Sequence, residues 1–447
     1  MNTRPSTAAS GTSAANSAAT RRVSFGDVAF VLFLLLIFVT LKPFAIRDPA
    51  ALAFGAGTGE GDMWRQVTFL GAFALILLAA WRELGARAFF AISPAMSALL
   101  AWCLFTSIWA FQSDVTFRRA GLEVVIVLSA MVGVQTVGIE RALQLLRYVL
   151  AGAVILSWIS IPLIPQAVHL ANEPDPGIVG DWRGLYFHKN IAGAVCAITA
   201  LLHFFEARKS RRKWDWFIFV AACGFLIETH SKTSMALLPV ALVAGLLYTM
   251  LRGRTLERWI LLVIAALAIT AVLCALAINF SSVAHFFADP TKLTGRVAIW
   301  SGEIDFIRDH PFLGYGFGTF ADSGALSPLH NYVADSWVQN EAHGHNAYLQ
   351  LLVTIGGVGF VLAMIAFIIQ PMIEFGRVAD AGRYTPMFAI FVFSILHNFV
   401  ESDFLEGDGQ AWVAFLIVLA SLRTLPQVQL RPAPKPVPTS APQWLAP

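Results

Sequence analysis

Two histidines, His343 and His345, stand in the fragment EAHGHNAYLQLL, where a long polar stretch gives way to an apolar run. Imidazole titrates near neutrality, so a histidine placed there can take a proton from a hydroxyl as a general base. Other readings compete. An H-x-H pair can bind metal, but no suitably spaced third or fourth ligand accompanies it, so no metal site is expected. Asn346 is a good helix N-cap, which is compatible with acid–base work at His345. His343 reads as a structural loop histidine.

Fixed cations form the second group. Arg118 and Arg119 end the fragment FTSIWAFQSDVTFRR, Arg183, His188 and Lys189 share DWRGLYFHKN, Lys232 lies in HSKTS, and Arg296 opens RVAIW. Arginine presents a planar fork of donors, and a convergent set of such cations suits a phosphate or pyrophosphate. The bland alternative pairs each cation with a nearby acid such as Asp114, Asp181 or Glu303, or with lipid headgroups. The aromatics Trp182, Tyr186, Trp300 and Tyr348 offer faces for sugar rings or a polyprenyl chain, although interfacial anchoring is their default role. Glu401, Asp403, Glu406 and Asp408 make an acidic patch beside His397 and Asn398, where an acid could orient a base or hold an acceptor sugar, or the loop simply be solvated. The run GYGFG at 314–318 follows no strand and opens no helix, so it reads as a flexible turn rather than a nucleotide loop.

These residues must be positioned by membrane-embedded helices. Of 447 residues, 57% are hydrophobic and only 13% charged, and the mean hydropathy is +0.67. That excludes both a soluble globule and a disordered chain. A net charge of +3 gives no reason to expect nucleic acid as a partner. Cys103, Cys196, Cys223 and Cys274 all lie in apolar runs, so neither a disulfide framework nor a zinc ribbon is expected. About twelve runs reach the length a bilayer core needs: near 27–44, 66–81, 89–110, 120–137, 145–165, 190–205, 215–229, 233–251, 259–280, 346–370, 384–400 and 410–423. Placing the N-terminus in the cytoplasm puts most of the 31 basic residues inside, including the KSRRK cluster at 209–213.

The expected fold class is therefore an all-α integral membrane protein. Its organisation reads as a disordered cytoplasmic N-tail at 1–26, helices 1–9 at 27–280, a large external loop at 281–345, helices 10–12 at 346–425 and a Pro-rich cytoplasmic tail at 426–447. A loop of that length is uncommon unless it is functional. Within it, Arg296 to Arg308 has helical spacing, with Val297, Trp300, Ile304 and Ile307 near one face, as for an amphipathic helix on the outer leaflet.

Four stretches, in order, resemble the bacterial O-antigen ligase and polymerase family. GRVAIWSGEIDFIRDHPFLGYGFGTF (295–320) and HGHNAYLQLLVTIGGVGF (343–360) look like the two ends of its large external loop. SIWAFQSDVTFRRA (107–120) and RGLYFHKNIAGAV (183–195) are similar to its exopolysaccharide polymerase branch. This chain has HGHN where many relatives carry a single histidine before the asparagine. The resemblance implies a metal-independent glycosyltransferase of the GT-C type, without cofactor, in the bacterial inner membrane with both termini cytoplasmic. Its implied donors are glycans on undecaprenyl pyrophosphate, used at the periplasmic face. A glycan acceptor, membrane lipids and a chain-length regulator or export machinery are the implied partners.

By position, Arg296 matches the arginine of the family's G-R-x-x-x-W motif, His345 the histidine of its H-N motif and Arg183 the arginine before the mid-chain helix. The expected catalytic pair is His345 and Arg296. Arg183, Arg118, Arg119, His188, Lys189, Lys232, Trp300, Asn346 and Glu401 are the expected substrate-binding residues. The expected activity is polymerisation of lipid-linked repeats, with transfer of a glycan to a lipid A core as the alternative in the same class and transport of an anionic glycolipid as the alternative in another.

Overall fold

A run of apolar residues in lipid has no water to satisfy its backbone, so it folds as a helix that bonds to itself. The computed structural model describes residues 23–45, 62–171, 173, 176–251, 254, 256, 257, 259, 260, 296–320, 327–333, 344–378 and 381–423. Within these, each apolar run of the sequence is occupied by a helix, and there is no β-strand, only an isolated bridge between Val168 and Trp182. Most of the run at 259–280, most of the N-tail and the Pro-rich tail lie outside the described residues, as do Cys274 and His343.

The helices in chain order are α1 (Phe25–Phe38), α2 (Met63–Leu84), α3 (Pro94–Phe105), α4 (Ser113–Val137), α5 (Ile139–Leu163), α6 (Lys189–Ser210), α7 (Lys213–Glu228) and α8 (Lys232–Met250). After the loop helix α9 (Arg296–Asp309) come α10 (Ala347–Met364), α11 (Gln370–Arg377), α12 (Ala381–His397) and α13 (Gln410–Leu422). Among the described residues, six helical segments are long and apolar enough to cross a membrane: Met63–Arg87, Ser113–Val137, Ile139–Leu163, Lys189–Ser210, Lys232–Met250 and Ala347–Arg377. Three shorter apolar helices accompany them, Phe25–Phe38, Pro94–Ile108 and Gln410–Leu422. The chain is an integral membrane α protein.

Local signals set several helix starts. Ser24 and Asp27 form a reciprocal capping box on α1, and Ser93 caps α3 ahead of Pro94. Packing is centred on α13, which is buried almost throughout and stacks Trp412 and Phe415 against Phe367, Phe391 and Phe404. The helix ends fall into two groups. At one end Arg141 of α5 pairs with Asp27 of α1, Arg383 of α12 with Glu140 of α5, and Arg423 with Glu374 of α11. At the other end Tyr186 Oη donates to the Phe38 carbonyl, Trp182 N to Glu228 O, and Ala347 N to Asn398 O.

Two details depart from the sequence reading. The buried face of α9 is Ile299, Gly302, Glu303 and Phe306, while Val297, Trp300, Ile304 and Ile307 are partly exposed. The helix is rotated this way because Gly302 has no side chain: a Cβ there would lie 2.4 Å from a Val333 methyl. The GYGFG run is no flexible turn. α10 breaks at Gly356, whose φ of 66° and ψ of −177° leave the helix, and the segment Pro311–Gly316 fills the break. Tyr315 N and Gly316 N donate to the carbonyls of Val353 and Thr354, and Gly357 N donates to Pro311 O. Trp102 Nε1 caps the Ile355 carbonyl at 2.9 Å.

Candidate functional site

The second group of helix ends carries the polar chemistry. α6 and α10 begin there, α12 finishes there, and α9 lies against the start of α10. Between α12 and α13 the chain turns through 398–409, a short segment held from several sides. Asn398 Oδ1 accepts from the backbone N–H groups of Asp403 and Phe404 at 2.9 and 3.0 Å, which closes the turn. His397 Nδ1 meets Asp403 at 2.7 Å, and its Nε2 meets Ser234 of α8 at 3.2 Å. Glu123, buried in α4, accepts from Gly407 N at 2.8 Å and Trp412 Nε1 at 2.7 Å. Arg65 grips Asp408 with two donors.

That scaffold presents Glu401 to three elements at once. One carboxylate oxygen accepts from Asn190 Nδ2 of α6 at 2.9 Å and from Arg296 Nη2 of α9 at 3.1 Å. The other lies 3.4 Å from His345 Nδ1. Arg296 also donates to the Val400 carbonyl. Burial alone would raise the Glu401 pKa, but the His345 hydrogen bond and the Arg296 charge outweigh it and hold the group down at about 2. Glu401 is thus an anion at any working pH, and it orients both the guanidinium and the imidazole.

His345 sits in the left-handed backbone region, with φ 49°, which few non-glycine residues adopt. Its neighbours hold it there. Asn346 caps α10 through its side-chain oxygen, accepting from Tyr348 N and Leu349 N, and Ala347 N donates to the carbonyls of Asn398 and Glu401. Trp300 Nε1 donates to the Gly344 carbonyl at 2.7 Å. The His345 side chain keeps 28% of its surface exposed, so a ligand has a way to it.

His188 caps α6, its Nδ1 accepting from Asn190 N at 3.2 Å. Burial, then the charge of His169, pushes its pKa down to about 3 against the opposing pull of Glu401. It is a neutral acceptor on the wall of the same centre. Lys189 is tied to Asp181 at 2.5 Å, and Asp181 also meets His230 at 2.7 Å.

Other predicted residues are engaged differently. Arg183 is fully buried and donates to the carbonyls of Gln166, Ala45 and Phe187, with Glu173 at 3.7 Å. It knots the 165–189 segment beside the centre. Arg118 is exposed and pairs with Asp114 at 3.1 Å, and Arg119 donates to the Gly318 carbonyl, which ties α4 to the GYGFG segment. Lys232 is exposed at the first position of α8. A cleft of about 610 Å³ opens at the far end of α9, lined by Trp109, Phe306, His310, Tyr315 and Tyr332 among others, and contains none of the Glu401 cluster.

Asn190 stands in the HKN fragment, and His397 and Asp403 in and beside the acidic patch, but neither the contact of Asn190 with Glu401 nor the pairing of His397 with Asp403 has a local sequence signature. Among the described residues no group of three or more metal-ligating side chains is arranged to hold a metal ion.

A family model described as O-antigen ligase matches residues 217–364. The match takes in Arg296, Trp300, His345 and Asn346, while Arg183, Asn190 and Glu401 lie outside it. Comparison with curated proteins gives no match.

Proposed function

We propose that this integral membrane protein, whose residues 217–364 match a family model described as O-antigen ligase, polymerises undecaprenyl-pyrophosphate-linked oligosaccharide repeats at the periplasmic face of the inner membrane. The observation that carries this reading is the contact of Arg296, Glu401 and His345 at one end of the bundle. An acceptor hydroxyl attacks the anomeric carbon of the donor glycan, and the bond from that carbon to the pyrophosphate oxygen breaks. The hydroxyl proton passes to His345, and in-line attack inverts the anomeric centre. Charge develops on the departing pyrophosphate and is met by the Arg296 guanidinium, already fixed in place by Glu401 and the Val400 carbonyl. No metal or cofactor enters these steps.

The clustering of cationic helix ends at Arg82, Arg141, Arg147, Arg208, Arg212 and Arg383, opposite the Glu401 centre, supports an outward-facing site. A buried charge in a span would suit a transporter, but Glu123 is spent on Gly407 N and Trp412 Nε1 and acts as a structural pin. The family description favours a second reading, transfer of the glycan to a lipid A core.

Both readings are tested by one assay: purified protein in nanodiscs, a lipid-linked repeat as donor, and products followed by mass spectrometry. Wild type should lengthen the lipid-linked chain. Arg296→Ala and His345→Ala should each lose roughly 10²–10⁴-fold in rate. Product formed only after lipid A core is added would make the protein a ligase. Absence of transfer to any acceptor by folded protein would remove the enzyme reading.

A further inference from the structure

Glu303 is the one acid of α9 that faces inward. It is 0% exposed, and among the described residues neither of its carboxyl oxygens has a hydrogen-bond partner. It lies directly under the turn that carries His345: a Cβ added to Gly344 would sit 2.1 Å from Glu303 Oε1. Arg296, Trp300 and Glu303 follow one another at spacings of four and three, a single stripe along α9. Arg296 grips Glu401, Trp300 grips the Gly344 carbonyl, and Glu303 fills the space that any larger residue at 344 would take.

From this geometry we infer that Glu303 is held as a neutral carboxylic acid beneath Gly344 and is a positioning residue for His345, seating the 344–346 turn only while it carries its proton. The inference rests on the transferase reading, in which His345 takes the proton of the acceptor.

The physical reason is the asymmetry between the two forms of the acid. A neutral carboxyl without a partner is costly to bury, but an unpaired carboxylate is far more so. Burial accordingly pushes the Glu303 pKa up to about 8. The charged and titratable groups on the described elements around it are Arg296, Asp305, Arg308 and Asp309 of α9, His330 and Tyr332 of the 328–332 segment, His345, and Tyr348 of α10. Arg296 is committed to Glu401 and Val400, Arg308 to Asp305, and Tyr332 to Asp309, so none of them neutralises a Glu303 carboxylate. Once ionised, the group must reach water or a cation, and among the described residues the Gly344 turn lies directly against the carboxyl and is what it would displace.

Three readouts on the full-length protein in nanodiscs test this. Infrared difference spectra of wild type should show a protonated carboxyl band at pH 7 that disappears with a midpoint near 8 and is missing in Glu303→Gln. Hydrogen exchange of the 344–346 amides, corrected for intrinsic pH dependence, should rise at least tenfold above that midpoint in wild type and stay flat in Glu303→Gln. In the transfer assay the variant should keep activity at pH 7 within about threefold and lose the alkaline fall shown by wild type. A Glu303 carboxylate already ionised at pH 7, or an alkaline fall and exchange profile identical in the two proteins, would overturn the proposal. So would a folded Glu303→Gln that is inactive at pH 7, since that would make the carboxylate itself a reacting group. Glu123 is a second buried acid, so the band is assigned to Glu303 by its loss in Glu303→Gln; should that variant fail to fold, the band must persist and titrate in Glu123→Gln, and its loss there would overturn the proposal. Failure of wild type to transfer glycan would strike the transferase reading and leave the spectroscopic result intact.

Discussion

Glu401 is bound by charge and hydrogen bonds to Arg296, His345 and Asn190, and that role leaves a trace in stability. Folding lowers its pKa from an ordinary 4.5 to about 2, worth on the order of 3 kcal/mol at neutral pH. For a carboxyl shifted downward, this contribution is present above the unfolded value and drains away as pH falls toward 2. Glu401→Gln should therefore melt well below wild type at pH 7, with the gap closing as both proteins are acidified to pH 3 in detergent. A gap independent of pH would mean that the charge is not what Glu401 contributes. Arg296 and His345 stand out in the sequence by residue type and by the motifs that carry the family resemblance, and the structure brings both to Glu401. Glu303 was legible only as a possible partner for a cation. Whether an acid on a helix meets a cation or is entombed depends on which face turns inward, and here Gly302 against Val333 decides that, a contact between segments with no local signature.

At the scale of elements, the helices could be read and their joints could not. Apolar runs announce themselves by composition, so α4, α5, α6 and α10 stand where the hydropathy puts them. The break in α10 is different. TIGGVGF reads as continuous apolar helix, and its unwinding follows from the arrival of Pro311–Gly316, which supplies partners for the carbonyls of Val353 and Thr354. The glycines allow it: a Cβ at Gly356 would come within 2.2 Å of the Phe312 carbonyl oxygen, and its φ is positive. Gly356→Ala should then cost more than ~1 kcal/mol, read as a lower thermal midpoint in detergent. Gly71 in α2 is the control. A Cβ there meets nothing within 4 Å, so Gly71→Ala should be neutral or stabilising by up to ~1 kcal/mol through helix propensity. Equal losses at the two positions would deny the joint its special role.

Over the whole molecule the two ends differ in kind. One end is laced by basic residues that pair across helices, such as Arg141 with Asp27 and Arg383 with Glu140. The other is a set of short connections folded over one another, from the Arg183 knot to the 398–409 turn. Glu123 joins that turn to the interior of α4, so the Glu401 centre moves with the bundle rather than as a free loop. The segment Ala347–Arg377 connects the two ends, and it is 31 residues long. At ~1.5 Å per residue a straight helix of that length would measure about 46 Å, against roughly 30 Å of hydrocarbon. The kink at Gly356 and the π-helical turn at Ile365–Ile369 allow it to bend within that span. Because the same segment starts at the His345 turn, a mismatch between protein and lipid acts directly on the reacting end. Glycan transfer in nanodiscs of graded acyl length should pass through an optimum and decline in thinner and thicker bilayers. Lipid thickness would then set the rate of the proposed transfer without touching the donor or the acceptor.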